Sequence, residues 1–342
     1  MFDVKYDRAR IVVVGGANID LQGRSFEAFV PADSNPGSII RSRGGVGRNI
    51  AENCVLLGLP TWLLTAFGDD EDGAWLRSDC ERKGIDTEGS LLAHAATARY
   101  LCVMDPSGSL QAAVADMGVM DAVDPGFLET RRPLLDSADI IVADTNLPAS
   151  SLSWLAAHYG RRGRRERGKG ASRQHTGPLL YLDTVSTAKA ARAAGLISEF
   201  DCVKPNRAEA SILAEFAGPE APEPEVLCAA MASKGSLPAE LFISLGEKGL
   251  YYYSNTGVSG RVTLPPPELR PQPVSRSGAG DAACAALVWA HARGLGAADK
   301  ARSALTAAML TTASYEPVVP DMNEATLEAQ MRLMFSMERC DE

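Results

Sequence analysis

The stretch Ser277-Gly278-Ala279-Gly280-Asp281-Ala282-Ala283 opens the apolar run Ala282-Ala283-Cys284-Ala285-Ala286-Leu287-Val288-Trp289-Ala290. Small residues at 278–280 let backbone N–H groups crowd around a ligand, and the alanine-rich run has high helix propensity. A flexible turn therefore feeds a helix N-terminus, where free N–H groups and the helix dipole attract anions. Asp281 falls in the first turn, beside any anion bound there. Such a carboxylate either favours the helix end electrostatically or has a task. The task the position suits is taking a proton from a hydroxyl that attacks a phosphate. Taken alone, the stretch leaves both readings open.

Upstream of this turn, short β-branched or apolar runs recur: Ile11-Val12-Val13-Val14, Trp62 to Ala66, Ile140 to Ala143, Leu179 to Leu182 and Leu241 to Ser244. They read as buried parallel strands. Helical patterns lie between most of them, at Asn49 to Leu57, Gly73 to Lys83 and Ser150 to His158. The alternation predicts an α/β doubly wound, mostly parallel sheet flanked by helices. Polar residues or glycines follow the strands (Asn18, Asp20, Gly68, Asp144, Asn146, Asp183, Gly246), where open α/β sheets bind ligands. Residues 20–43 and 97–118 break the pattern. The second segment reads as a hairpin turning at Asp105-Pro106-Ser107-Gly108. Together the two predict a small β layer over the cleft, with two surface loops as the alternative.

The 342 residues, 46% hydrophobic, suffice for a substantial core. Their length suits two domains, or one large α/β domain with an insertion. With 34 basic and 43 acidic residues the net charge is −9. That argues against general nucleic-acid or membrane-surface binding but not against phosphorylated ligands. The seven cysteines form no CxxC pair, so buried reduced thiols are expected rather than disulfides or a zinc site. Met1 to Arg10 is charged and lacks an apolar signal segment, and no run reaches about 18 apolar residues. A cytoplasmic protein is expected. Arg161 to Arg173 holds seven Lys or Arg residues among glycines and reads as a mobile, solvated loop.

Three further clusters bear on chemistry. Gly44-Gly45-Val46-Gly47-Arg48-Asn49 precedes a helical run; its glycines permit close backbone approach, and Asn49 can bond two neighbouring hydroxyls. Asn18 and Asp20 suit a polyol, or cap a turn. In Lys204-Pro205-Asn206-Arg207-Ala208-Glu209, Asn206 and Glu209 have capping-box spacing. Alternatively, Glu209 stands near a hydrated Mg²⁺, which needs few carboxylates. Ser244-Leu245-Gly246-Glu247-Lys248-Gly249 is either a plain hairpin turn or a turn presenting hydroxyl and N–H groups to a nucleotide.

The order GGVGRN, N-x-x-E, S-L-G-x-x-G and GAGD resembles the ribokinase-like, or PfkB, carbohydrate kinases over about Ile11 to Ser314. Gly15 to Gly23, Asp33 to Gly37, Gly44 to Asn53, Val114 to Met117 and Asp183 to Ala190 are similar to the pseudouridine-kinase subgroup. The resemblance implies one kinase domain over 1–342, with a β lid inserted from about 20–43 and 97–118. It implies ATP-dependent phosphorylation of a 5′-hydroxyl, with Asp281 as general base and Gly278, Ala279 and Gly280 as the anion hole. Asn206, Ser244, Gly246 and Gly249 would line ATP, and Glu209 would hold Mg²⁺ through water. Asn18, Asp20, Gly45, Gly47 and Asn49 would hold the ribose; Ser34, Thr97 and Met117 would meet the base. Many relatives carry an acid where Ser275 stands, which weakens any K⁺ site at Ser275 and Ser277. The expected partner is a small nucleoside or sugar, with no membrane or nucleic acid, and the expected assembly is a homodimer through the lid. A kinase of ribose or another nucleoside, or a non-catalytic nucleotide or sugar sensor on the same fold, competes with this reading.

Overall fold

The computed structural model describes residues 9–167, 177–216, 218 and 220–335. In chain order its strands are β1 (Ile11–Val14), β2 (Asn18–Ser25), β3 (Gly37–Gly44), β4 (Thr61–Leu64), β5 (Ala66–Gly68), β6 (Leu91–Ala93) and β7 (Arg99–Met104). They continue with β8 (Leu110–Asp116), β9 (Ile140–Asp144), β10 (Leu179–Asp183), β11 (Cys202–Lys204), β12 (Glu240–Ser244), β13 (Leu250–Ser254) and β14 (Val258–Val262). Eight of them form the central sheet, in the order β14-β13-β12-β11-β10-β9-β1-β4. From β4 to β12 the pairing is parallel; β13 and β14 add an antiparallel edge.

Side chains of a strand alternate between its two faces, so β1 feeds two cores. Ile11 and Val13 pack with the helices Val46–Leu56, Ala279–Ala292 and Ala297–Thr312. Val12 and Val14 pack with the helices Ala149–Tyr159 and Pro224–Ser233 on the other side. Burial on both faces is why β1 needs four consecutive β-branched residues. The helix Ala279–Ala292 buries eleven of its fourteen residues, as expected of one apolar all round. Its alanines let it lie close against the helix Ala297–Thr312.

Residues 20–43 and 97–118 do form one small sheet, ordered β3-β2-β7-β8. β2 and β3 pair without interruption from Asn18 opposite Gly44 to Ser25 opposite Gly37. The base of this sheet is clamped to the helix Glu71–Arg82. The Arg41 and Arg43 guanidinium carbons lie 4.3 and 4.9 Å from the Trp75 ring centroid. Arg41 pairs with Asp72, and Arg99 donates to Asp72 at 2.6 Å and to Asp70 at 3.1 Å. Farther out, Ile39, Ile40, Leu110 and Val114 are exposed.

One expectation is corrected. Arg161–Arg167 is helical rather than a loop, and Arg164 is buried, pairing with Asp201 and donating to the carbonyls of Tyr159 and Pro178. Arginine clusters read as solvated because a buried partner distant in sequence, here Asp201 just before β11, leaves no local trace. The remainder of that segment, from 168 to 173, lies outside the described residues. The six described cysteines are all free and buried; Cys340 lies outside the described residues. No helix of the described residues is long and apolar enough to cross a membrane.

Asp72→Ala removes a partner shared by Arg41 and Arg99. Because both arginines are partly exposed, we expect a loss of about 1 kcal/mol or less in global stability. Hydrogen exchange in β3 and β7 should quicken while β1, β9 and β10 keep their protection. Unchanged exchange in the small sheet would contradict the clamp.

Candidate active site

The parallel strands end on one edge of the central sheet, and the polar residues that follow them converge there. Gly278 caps the helix Ala279–Ala292 in a left-handed conformation, φ 75°. A Cβ at this position would overlap the Pro317 carbonyl, so only glycine fits. The first intrahelical bond runs from Ala282 N–H to Gly278 C=O at 2.9 Å. The N–H groups of Ala279, Gly280 and Asp281 precede it and face outward from the helix end.

Asp281 is 8% exposed. Asn49 Nδ2 donates to its Oδ2 at 2.8 Å, and Asn49 Oδ1 accepts from Arg48 Nη1 at 2.9 Å. Burial pushes the Asp281 carboxyl up to about 7, and the charge of Asp183 adds to this; the Asn49 bond and Lys204 work the other way. Lys204, buried at the end of β11, places Nζ 3.2 Å from Asp183 Oδ2. The pair is within ion-pair distance but lacks hydrogen-bond geometry, since Asp183 Oδ2 accepts no hydrogen bond among the described residues. Burial opposes the Lys204 charge, yet Asp183 foremost holds its pKa above the usual lysine value. The same Nζ is 3.2 Å from where a Gly280 Cβ would stand. A fixed cation therefore sits beside the glycine turn. Breaking such a buried pair from one side costs about 3–5 kcal/mol.

Asp144, at the end of β9, accepts from Gly16 N–H at 2.8 Å and Asn146 N–H at 2.7 Å. Burial raises its carboxyl to about 6 against these bonds. After β10, Val185 N–H donates to Asp183 Oδ1 at 2.8 Å while Val185 holds φ 58°. A β-branched residue there is strained, a feature that clusters at functional sites.

The second glycine cluster is explained largely by packing. Cβ atoms at Gly45 and Gly47 would strike the backbone of residues 15–17, and Arg48 N–H donates to Gly16 C=O at 3.0 Å. This contact brings Asn49 to the helix end. Asn18 Nδ2 donates to Asp20 Oδ1 at 2.6 Å. Burial raises the Asp20 carboxyl, with Asn18 and the Arg48 charge opposing.

Asn206 and Glu209 form a complete capping box: each side chain accepts from the other residue's backbone N–H at 2.9 Å. Glu209 Oε1 also accepts from Asn206 Nδ2 at 2.7 Å, and Oε2 from Thr184 Oγ1 at 2.6 Å. Ser244 bridges to Asn206, its N–H donating to Pro205 C=O at 3.0 Å. The third and fourth clusters are thus neighbours. Gly246 and Gly249 hold φ 61° and 86° in the turn joining β12 to β13.

Three expected residues stand apart. Thr97 is fully buried; its hydroxyl donates to Asp70 at 2.5 Å and accepts from Gly68 N–H at 3.2 Å. It ties the helix Glu71–Arg82 to the small sheet and has no donor left for a base. Ser34 is exposed between β2 and β3, beyond Ser25. At roughly 3.3 Å per residue, Ser25 is itself about 20 Å from Asn18. Met117 follows β8 at the near end of the small sheet, where Asp116 pairs with Arg99. The Ser275 hydroxyl accepts from Ser277 N–H at 3.1 Å, closing the turn before Gly278. Among the described residues, no group of three or more His, Cys, Asp or Glu is placed to hold a metal ion. The principal residue that sequence reading missed as a site member is Lys204, and its place at a strand end just before Asn206 was the available signal.

The family described as pfkB family carbohydrate kinase matches the chain over residues 8–322. The chain is 29% identical over 318 residues to a pseudouridine kinase of Escherichia coli (strain K12), covering 93% of this chain and 95% of that protein. Its fold is similar to a carbohydrate kinase from Agrobacterium tumefaciens, with TM-score 0.77, 25% identity and coverage of 95% and 98%. It is also similar to a ribokinase from Arabidopsis thaliana solved with ribose and ATP, with TM-score 0.78, 19% identity and coverage of 95% and 99%.

Because the folded Asp281 carboxyl titrates near 7 and an unfolded one near 3.8, its ionisation weakens the fold as pH rises between those values. Asp281→Asn should therefore raise the melting temperature at pH 8, with the gain shrinking toward pH 4. A variant less stable than wild type at pH 8 would contradict this balance.

Proposed function

The chain belongs to the pfkB family of carbohydrate kinases, and from that premise we propose that it transfers the γ-phosphoryl group of ATP to the 5′-hydroxyl of pseudouridine. The products are pseudouridine 5′-phosphate and ADP. The observation that supports phosphoryl transfer is the buried Asp281 carboxylate at the helix N-terminus, tied to Asn49; the choice of pseudouridine rests on the 29% identity to a pseudouridine kinase. A general base is most effective when its pKa lies near the working pH.

In this reading Asp281 takes the hydroxyl proton as the 5′-oxygen bonds to the γ-phosphorus. The bond from that phosphorus to the β–γ bridging oxygen breaks, and ADP departs. The N–H groups of Ala279, Gly280 and Asp281, with Lys204 beside Gly280, stabilise charge on the transferring group. Asn206, Ser244, Gly246 and Gly249 wall the nucleotide. Asn18, Asp20 and Asn49 hold ribose hydroxyls against the backbone at Gly45 and Gly47. The small sheet acts as a lid that excludes water and limits ATP hydrolysis.

Glu209 fits a water-mediated Mg²⁺ contact, since Oε1 accepts only one hydrogen bond among the described residues and hydrated Mg²⁺ needs few carboxylates. When bound, the ion neutralises phosphate charge. Ser275 fits K⁺ less well: it is neutral and its hydroxyl already closes the turn, so no step here uses that ion. The exposed Ile39, Ile40, Leu110 and Val114 support pairing of small sheets in a homodimer. In this reading Ser34 meets a base in a neighbouring copy's site.

A kinase of ribose or another nucleoside is the competing reading, favoured by the burial of Thr97, whose hydroxyl proton is already given to Asp70. A substrate panel separates the two. We expect turnover of pseudouridine; none, alongside turnover of ribose or adenosine, would sink the first assignment. Asp281→Asn should cut kcat by roughly 10²–10⁴ with KM for ATP little changed. Wild-type turnover in that variant would remove Asp281 as the base.

A further inference from the structure

The Asn49 amide touches Asp281 with its NH₂ end, and that orientation has a visible cause. An amide turned over would aim Oδ1 at the carboxylate. Arg48, 4% exposed, donates from Nη1 to Asn49 Oδ1 at 2.9 Å and so selects the orientation in which Nδ2 reaches Asp281 at 2.8 Å. Arg48 is itself held. Its Nη2 pairs with Glu52 and lies 3.4 Å from Asp79. Asp79, buried on the helix Glu71–Arg82, also accepts from Arg43 of β3 at 2.6 Å and from Arg82 at 2.7 Å. Nη1 further reaches the Arg43 carbonyl at 3.4 Å.

We propose that Arg48 is a positioning residue for the general base, fixing Asn49 against Asp281 and linking the base of the small sheet to the reacting carboxylate. The inference rests on the reading of Asp281 given above. Lysine cannot replace it: an ammonium is a point charge, whereas the guanidinium fork satisfies Asn49 and Glu52 together. Around Asp281 the charged neighbours are Asp183, Lys204 and Asp144. Around Arg48 they are Glu52, Asp79 and Arg43, with Asp20 across from β2 and the Cys80 thiol nearby. Lys83 reaches the same Glu52 at 2.9 Å.

Arg48→Lys keeps a cation near Glu52 and tests the proposal. The Asn49 bond favours ionised Asp281, so losing it moves the acidic limb of the kcat/KM profile to higher pH, by roughly one unit. We expect that shift with kcat down about tenfold and KM for ATP unchanged. A fall in kcat with the limb unmoved would mean a merely structural role and overturn the proposal, as would an unaltered enzyme. If the variant does not fold, NMR of the wild-type protein decides. The Arg48 guanidinium protons should exchange slowly and shift as Asp281 titrates, and signals indifferent to that titration overturn it. The reading of Asp281 fails separately, through wild-type turnover in Asp281→Asn, and the NMR titration does not depend on it.

Discussion

A single 2.8 Å hydrogen bond joins Asn49 to Asp281 across 232 residues of sequence, and the site is organised around it. One partner stands in the first turn of the helix Ala279–Ala292, the other in the helix Val46–Leu56. Those helices can meet only because they share one face of the central sheet and because Gly45 and Gly47 let the second start against residues 15–17. The bond is also where opposing electrostatic demands are settled. Burial and Asp183 disfavour charge on Asp281, while Asn49 and Lys204 favour it. The outcome is a carboxylate near neutrality, suited to gaining and losing a proton at ordinary pH.

That balance works against stability. Three buried carboxylates, Asp144, Asp183 and Asp281, share one region with a single buried lysine. An apolar cluster of equal volume would hold the strand ends together more firmly. Strain at Val185 adds to the cost. The compensation comes from the two cores on either face of the sheet and from alanine-lined helix packing. Stability is thus concentrated in the scaffold and forgone at the strand ends, the distribution expected where function opposes stability.

Much of this was legible in the sequence, for local reasons. A strand buried on both faces must be largely apolar, which marks Ile11–Val14, Ile140–Ala143 and Leu179–Leu182. A glycine turn before an alanine-rich run marks the helix carrying Asp281. The N-x-x-E spacing marks a capping box, and that box is present. What was not legible depends on partners distant in sequence. β11 has three residues, too few for a pattern, so nothing local gave Lys204 a role of its own. Thr97 was expected at the base by resemblance, and its partners Asp70 and Gly68 lie 27 and 29 residues away. Arg164 looked solvated until Asp201 arrived from the other side of β10. Ser34 was placed in the site by resemblance, and the length of β2 carries it away from its own chain's strand ends.

The account turns on where a nucleoside's 5′-oxygen rests. A crystal structure with pseudouridine bound tests this directly. It should place that oxygen within hydrogen-bond distance of an Asp281 carboxylate oxygen, with the ribose against Asn18, Asp20 and Asn49 and the small sheet across it. A nucleoside bound away from Asp281, or bound with its base toward that carboxylate, would contradict the account.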